Sequence, residues 1–180
     1  MLQHIGLTSI QHARTRAEEE MNMYWRMQLH PSDAKEAIAH TVRSLAAGYI
    51  GVDFSGSVPD MLTIEKDALP EKARNYWAFA HDMAIGDYVL VFCHHFPFAL
   101  VRIAGEYNHI RASIPENSVW FTHFRKVDEI QYYGDRRGCT DARNWPYITM
   151  TATITPLKRE DRICYKLIED WLAKDAELVG

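Results

Sequence analysis

Six consecutive residues, Tyr88-Val89-Leu90-Val91-Phe92-Cys93, contain no charged side chain and no polar alternate. The run is short, β-branched and aromatic, so it reads as a strand. A strand with one wet face alternates apolar and polar residues. This one does not alternate, so both of its faces must be covered. Whatever fold the chain adopts has to supply that cover.

The surrounding sequence offers the material. Gly86-Asp87 is a turn before the run, and His94 to Pro97 form one after it. Phe98 to Tyr107 then return as a strand through Val101, Ile103 and Gly105. Val119 to Tyr132 form a long strand, in which Phe121, His123, Arg125 and Val127 alternate with Trp120, Thr122, Phe124 and Lys126. Tyr147 to Thr155 add a Thr-rich strand. Links this short make sequential strands antiparallel neighbours. Upstream, Met23 to Leu29 form an aromatic strand and Tyr49 to Phe54 a short one, followed by the loop Ser55 to Pro59.

Helices fill the remainder. Thr8 to Asn22 read as an outer helix. A second starts at Ser32 or Asp33, with Glu36 completing a capping box, and ends at Gly48. Its expected apolar face is Ile38, Val42 and Leu45. A third runs from Pro70 to Met83 and a last one from Leu157 to Leu178. There are no internal repeats or linkers. The expectation is one α+β domain over residues 1–180: a small curved, mostly antiparallel β-barrel of about five to six strands (core about 23–155), flanked by an N-terminal helix at 8–22 and a C-terminal helix at 157–178.

Composition narrows the function classes. A chain of 180 residues buries roughly 70% of its unfolded surface and needs no staples. A net charge of −4 excludes a protein that coats nucleic acid by charge alone. It leaves room for a pocket that reads one nucleotide beside a small basic patch. Aromatic residues, at 12%, suit either a core or a base-stacking site. No apolar run approaches the ~20 residues of a bilayer span, and Met1 to Gly6 lack a basic-then-apolar export signal. Cys93, Cys139 and Cys164 form no CxxC, so free thiols in the cytoplasm are expected.

Four stretches in order resemble a known group. They are Gly48-Tyr49-Ile50-Gly51-Val52-Asp53-Phe54, then Met83-Ala84-Ile85-Gly86-Asp87-Tyr88-Val89-Leu90-Val91, then Ala99 to Tyr107, then His123-Phe124-Arg125-Lys126-Val127. The succession, spread over Tyr24 to Ile154, is similar to the PUA-like domains called EVE. It is also similar to the related YTH domains and to the modified-base-reading N-terminal domains of modification-dependent restriction endonucleases. The resemblance implies the curved barrel and a pocket for one nucleobase, modified or flipped from a DNA or RNA strand. It implies an aromatic wall just after the second strand's glycine, where this chain has Val52, Asp53 and Phe54 and lacks the expected Trp. A second wall falls at Trp120, and Trp25 on the first strand is a further candidate. In such a restriction system the partner is a nucleic acid, with an effector domain or subunit such as a nuclease.

Extruding a base costs a few kcal/mol, and stacking on aromatic faces returns about 1–3 kcal/mol per base. An Asp53 carboxylate would accept a hydrogen bond from the exocyclic amine of cytosine or adenine. Arg125, Lys126, Arg136, Arg137 and Arg143 are the candidate phosphate contacts. Each choice competes with a structural one: Trp25 as core, Asp53 as a turn residue, the basic loop as a solvated loop.

Catalytic signals are missing. There is no Glu-X-Lys, and Asp33-Ala34-Lys35 sits at a helix start, so a metal-dependent nuclease core is not expected. Cys93, His94 and His95 alternate in direction along a strand and do not converge on a metal without a bulge. No dinucleotide or phosphate-loop glycine motif is present. The expected function is a non-catalytic nucleic-acid-binding module with no metal, cofactor or membrane. The alternative is a small-ligand or protein-interaction module on the same fold; a hydrolase or transferase of RNA modification is a distant third.

Overall fold

The computed structural model describes residues 22–29, 34–53, 58–114, 121–136, 139–150 and 152–178. Residues 8–21 of the expected N-terminal helix lie outside them.

The elements run β1 (Tyr24–Gln28), α1 (Ala34–Ala46), β2 (Tyr49–Val52), α2 (Arg74–Trp77), β3 (Tyr88–Cys93), β4 (Phe96–His109), β5 (His123–Tyr132), β6 (Ile154–Pro156) and α3 (Arg162–Leu178). The six strands form one curled sheet, a half-barrel, in the order β2-β5-β4-β3-β1-β6. Every pairing is antiparallel except β1 with β3, which is parallel, with Trp25 opposite Val89 and Gln28 opposite Phe92. Among the described residues, the Thr-rich segment expected to be a strand over 147–155 is strand only from Ile154, in Ile154–Pro156. β6 lies along β1, where Pro156, which has no N–H, sits at the sheet edge.

The continuous apolar run explains itself here. Val89 and Val91 face a core of Trp25, Met27, Leu45, Val101, Ile103, Tyr76 and Phe79. Leu90 and Phe92 face a second core of Leu100, Tyr133, Ile148, Cys164, Ile168 and Trp171. β3 is therefore buried on both faces, by α1, α2 and the curl of the sheet on one side and by α3 with Tyr133, Cys139, Trp145 and Ile148 on the other.

α1 ends as its sequence signals, with Gly48 at φ 78° and its N–H bonded to Leu45 O at 2.9 Å. Its buried face differs from the expected one. Ile38 and Val42 are 54% and 43% exposed, whereas Ala37, Thr41, Ser44 and Leu45 are buried. Both sets recur at helical spacing, and the smaller side chains let the helix lie closer to the sheet. The stretch 71–82 is helical throughout but changes pitch, from a 3-10 turn (Glu71–Ala73) through α2 to a π turn (Ala78–Asp82).

Two buried charges organise the inner core. Asp87 accepts Met23 N–H on Oδ1 at 2.9 Å, and Trp25 Nε1–H and Ala84 N–H on Oδ2 at 2.8 and 3.0 Å. Arg125, 2% exposed, donates to Phe79 O (2.7 Å), Gly105 O (3.1 Å), Ala80 O (2.9 Å) and Met83 O (3.0 Å). Carbonyls at a helix C-terminus carry partial negative charge, which suits a guanidinium placed among them. Burial pulls the Arg125 pKa below its ordinary value, but a guanidinium stays protonated regardless.

Candidate functional site

The antiparallel register of β2, β5 and β4 sets three residues side by side: Val52 opposite His123, and His123 opposite His109. One step further along, Asp53 follows Val52, Thr122 precedes His123, and Ile110 N–H bonds to Thr122 O at 2.8 Å. The ends of three strands thus form a rim bearing Asp53, Thr122 and His109. The Asp53 carboxyl is hydrogen-bonded to the Thr122 side chain, and burial raises its pKa above the ordinary carboxylate value against that bond.

Beneath the rim lies a chain of hydrogen bonds. His123 is fully buried, with Nε2 at 3.2 Å from Val58 O and Nδ1 at 2.6 Å from the Tyr107 hydroxyl. A carbonyl oxygen only accepts, so Nε2 carries the hydrogen and Nδ1 is bare. Tyr107 therefore donates to Nδ1, and its oxygen accepts Met61 N–H at 3.1 Å. Burial holds the His123 pKa down at about 4, helped by the neighbouring His109. Burial also drives the Tyr107 phenol well above its ordinary value. The imidazole is enclosed by Tyr76, edge-on at 4.6 Å between centroids, and by His109 at 4.8 Å. His81, stacked on Trp77 at 3.9 Å, donates from Nε2 to Met61 O at 3.1 Å. The segment leaving the rim, Val58 to Met61, is thus held at three points.

Gly51 is required by close approach. A Cβ there would lie 2.3 Å from the Phe121 ring and 2.6 Å from His123 O. The glycine of β2 lets Phe121 and the β5 backbone close against the strand.

Several candidate residues fall elsewhere. Trp25 is 2% exposed, inside the core with its indole N–H on Asp87, and so forms no wall of this rim. Arg125 is withdrawn from the phosphate contacts, because its guanidinium is buried and spent on four carbonyls. Arg136 lies with its guanidinium carbon 4.6 Å over the Trp171 ring and 5.5 Å over Tyr133, covering the second core. Arg143 is an exposed side chain bonded to Asp141 at 2.8 Å. Lys126 is exposed on β5. Phe54, Trp120 and Arg137 lie outside the described residues. Only Asp53, of the described candidates for base contact, is on the rim.

The inward-facing residues Tyr107 and His123, and His109 at the mouth, escaped the choice of candidates. One signal for them existed: His123 occupies an inward position of an alternating strand, between Phe121 and Arg125, where a polar group needs a partner. Among the described residues, no three His, Cys, Asp or Glu side chains converge as metal ligands. No described helix is long and apolar enough to cross a membrane. The chain matches no protein-family model and no curated protein.

Proposed function

We propose that this chain is a non-catalytic binding module, PUA-like and related to EVE domains, that takes one flat amino-bearing heterocycle at the Asp53 rim. The occupant in this reading is a nucleobase, modified or flipped from a DNA or RNA strand. The observation that carries it is the Asp53–Thr122 pair. The ionised carboxyl accepts from the exocyclic amine that cytosine and adenine both present, and the Thr122 hydroxyl, whose hydrogen is donated to that carboxyl, holds it in place. Trp120 is two residues from Thr122 and Phe54 adjoins Asp53, so both are the aromatic side chains to test as stacking faces. An effector such as a nuclease would be the functional partner of a targeting module of this type.

A second reading, a free heterocyclic small molecule in place of a nucleic acid, is favoured by one observation. Arg125, Arg136 and Arg143 are engaged within the protein, which leaves Lys126 as the described phosphate candidate without such a partner among the contacts given above.

Fluorescence anisotropy with single-stranded DNA and RNA oligonucleotides, with and without base methylation and across a salt series, separates the two. The base-reading function predicts micromolar or tighter binding whose logarithm falls linearly with log salt. Asp53→Asn and Trp120→Ala should each weaken it roughly tenfold or more without unfolding the protein. Absence of binding to every oligonucleotide, with nucleosides still bound, would transfer the site to the small-molecule reading.

A further inference from the structure

We propose that the Asp53 rim reads one base of a single-stranded nucleic acid whose chain continues along β5, where Tyr49 stacks a further base and Lys126 and Arg111 hold phosphates. The inference rests on the base-reading proposal above and names its substrate class, an unpaired stretch of DNA or RNA.

Strand register lays the parts in a row. Asp53 and Thr122 are hydrogen-bonded where β2 and β5 meet. Residues two apart on a strand share a face, so Phe124 and Lys126 follow Thr122 on its side of β5. In the pairing of β2 with β5, Lys126 lies opposite Tyr49. Tyr49 is 39% exposed and meets the Phe124 ring edge to face, with centroids 5.7 Å apart. Phe124 is packed against the first core, so it fixes the Tyr49 ring and leaves that ring to take a ligand. Tyr49 stands four residues from Asp53, about 13 Å along the strand. A lone heterocycle at the rim cannot span that distance, whereas a nucleotide chain can.

Cations stand at both ends of this row. Arg111 follows Ile110, whose N–H bonds to Thr122 O at 2.8 Å, and Lys126 is the partner of Tyr49. Both are exposed, and among the described residues neither forms an ion pair. The acids that follow on β5, Asp128 and Glu129, are engaged by Arg102 at 3.1 and 2.9 Å. One acid without an ion pair, Glu106, adjoins Gly105 on β4, so the two cations outnumber it along the path. Two phosphate contacts give little grip to offset the extrusion of a base from a duplex. The further base, moreover, is free to stack on Tyr49 only when it is unpaired. A single strand carries neither cost.

Fluorescence anisotropy and titration calorimetry on the intact chain test this with cytidine and adenosine mononucleotides, their homo-oligonucleotides up to about eight nucleotides long, and the duplexes these form with complementary strands. Affinity should rise at least about fivefold from mononucleotide to oligonucleotide, and the single strand should bind more tightly than the duplex. Tyr49→Ala should remove the length gain and Tyr49→Phe should retain it. Lys126→Gln and Arg111→Gln should each flatten the log–log salt dependence of oligonucleotide binding by about 0.7. Binding that does not grow with length, a gain that survives Tyr49→Ala, unchanged salt slopes in both cation variants, or a duplex or heparin bound as tightly as the single strand would each overturn the path. In those cases, mononucleotide binding that Asp53→Asn abolishes would leave the base-reading proposal standing. Conversely, a length gain lost in Tyr49→Ala but indifferent to Asp53→Asn would keep the path and remove the base-reading site.

Discussion

The indole Nε1–H of Trp25 donates to Asp87 Oδ2 at 2.8 Å, joining the first strand to the turn before the third. The same carboxylate also accepts Met23 N–H and Ala84 N–H, so it fixes both the entry of β1 and the Gly86-Asp87 turn. Asp87→Asn keeps the shape but replaces one acceptor oxygen with a donor, which then faces an N–H. Loss of about 2–3 kcal/mol is expected, read as a lower urea midpoint with unchanged slope. Trp25→Phe should cost a comparable amount, and the double variant less than the sum, because the two share one bond.

Arg125 is the larger structural commitment. Arg125→Met leaves four main-chain carbonyls without their donor, three of them in the helical turn Ala78–Asp82 and its C-cap Met83. We expect a loss of at least about 3 kcal/mol, and Arg125→Lys should fall between, since one ammonium cannot reach both Gly105 and the helix end. Calorimetric melting of the three proteins gives the ranking. A variant as stable as the wild type would remove Arg125 from this role.

Substitution at Gly51 should be felt through Phe121. Gly51→Ala places a methyl 2.3 Å from the ring, and a loss of about 1–3 kcal/mol is expected from overpacking. Adding Phe121→Leu should restore only part of it. The His123 carbonyl, at 2.6 Å from the same position, is backbone and cannot step aside. Chemical denaturation of the single and double variants measures the partition.

Global stability should follow pH in a defined direction. His123 has a folded pKa of about 4, below an ordinary value of about 6.5. Between those values the unfolded chain takes up a proton that the folded chain refuses. Stability from this group is therefore complete above pH 6.5 and is lost as pH falls toward 4, by on the order of 3 kcal/mol. Asp53 acts oppositely: its pKa is raised on folding, so its unfavourable contribution at neutral pH is relieved by acid. Urea midpoints between pH 8 and 4.5 should fall in the wild type and fall less in His123→Gln.

The sheet was legible in the sequence where periodicity speaks. The unalternating run of Tyr88 to Cys93 announced a strand with cover on both faces, and two separate cores provide it. Gly48 marked the end of α1. Where two stripes at helical spacing compete, hydrophobicity chose wrongly: Ile38 and Val42 face outward while Thr41 and Ser44 are buried. Parallel pairing of β1 with β3 was not legible, because no local pattern encodes which distant strand a segment joins. Charge was the least reliable guide to the site. Arg125 shares a face with Phe121, His123 and Val127 in an alternating strand, yet its charge suggests a phosphate contact, and only tertiary structure reveals the ring of carbonyls around it. The rim itself was half visible, through Asp53; His109, Thr122 and the buried Tyr107–His123 pair come together only through strand register.

The position of β1 between β3 and β6 has a consequence for biogenesis. Residues 24–28 leave the ribosome first among the strands, yet their partners begin at Tyr88 and Ile154. At a synthesis rate of roughly 5–20 residues per second, the earliest strand waits several seconds for its first neighbour and longer for its second. During that interval an aromatic ribbon of Tyr24 and Trp25 is exposed to whatever binds nascent chains, and the hairpin of β3 and β4 is the template that ends the wait.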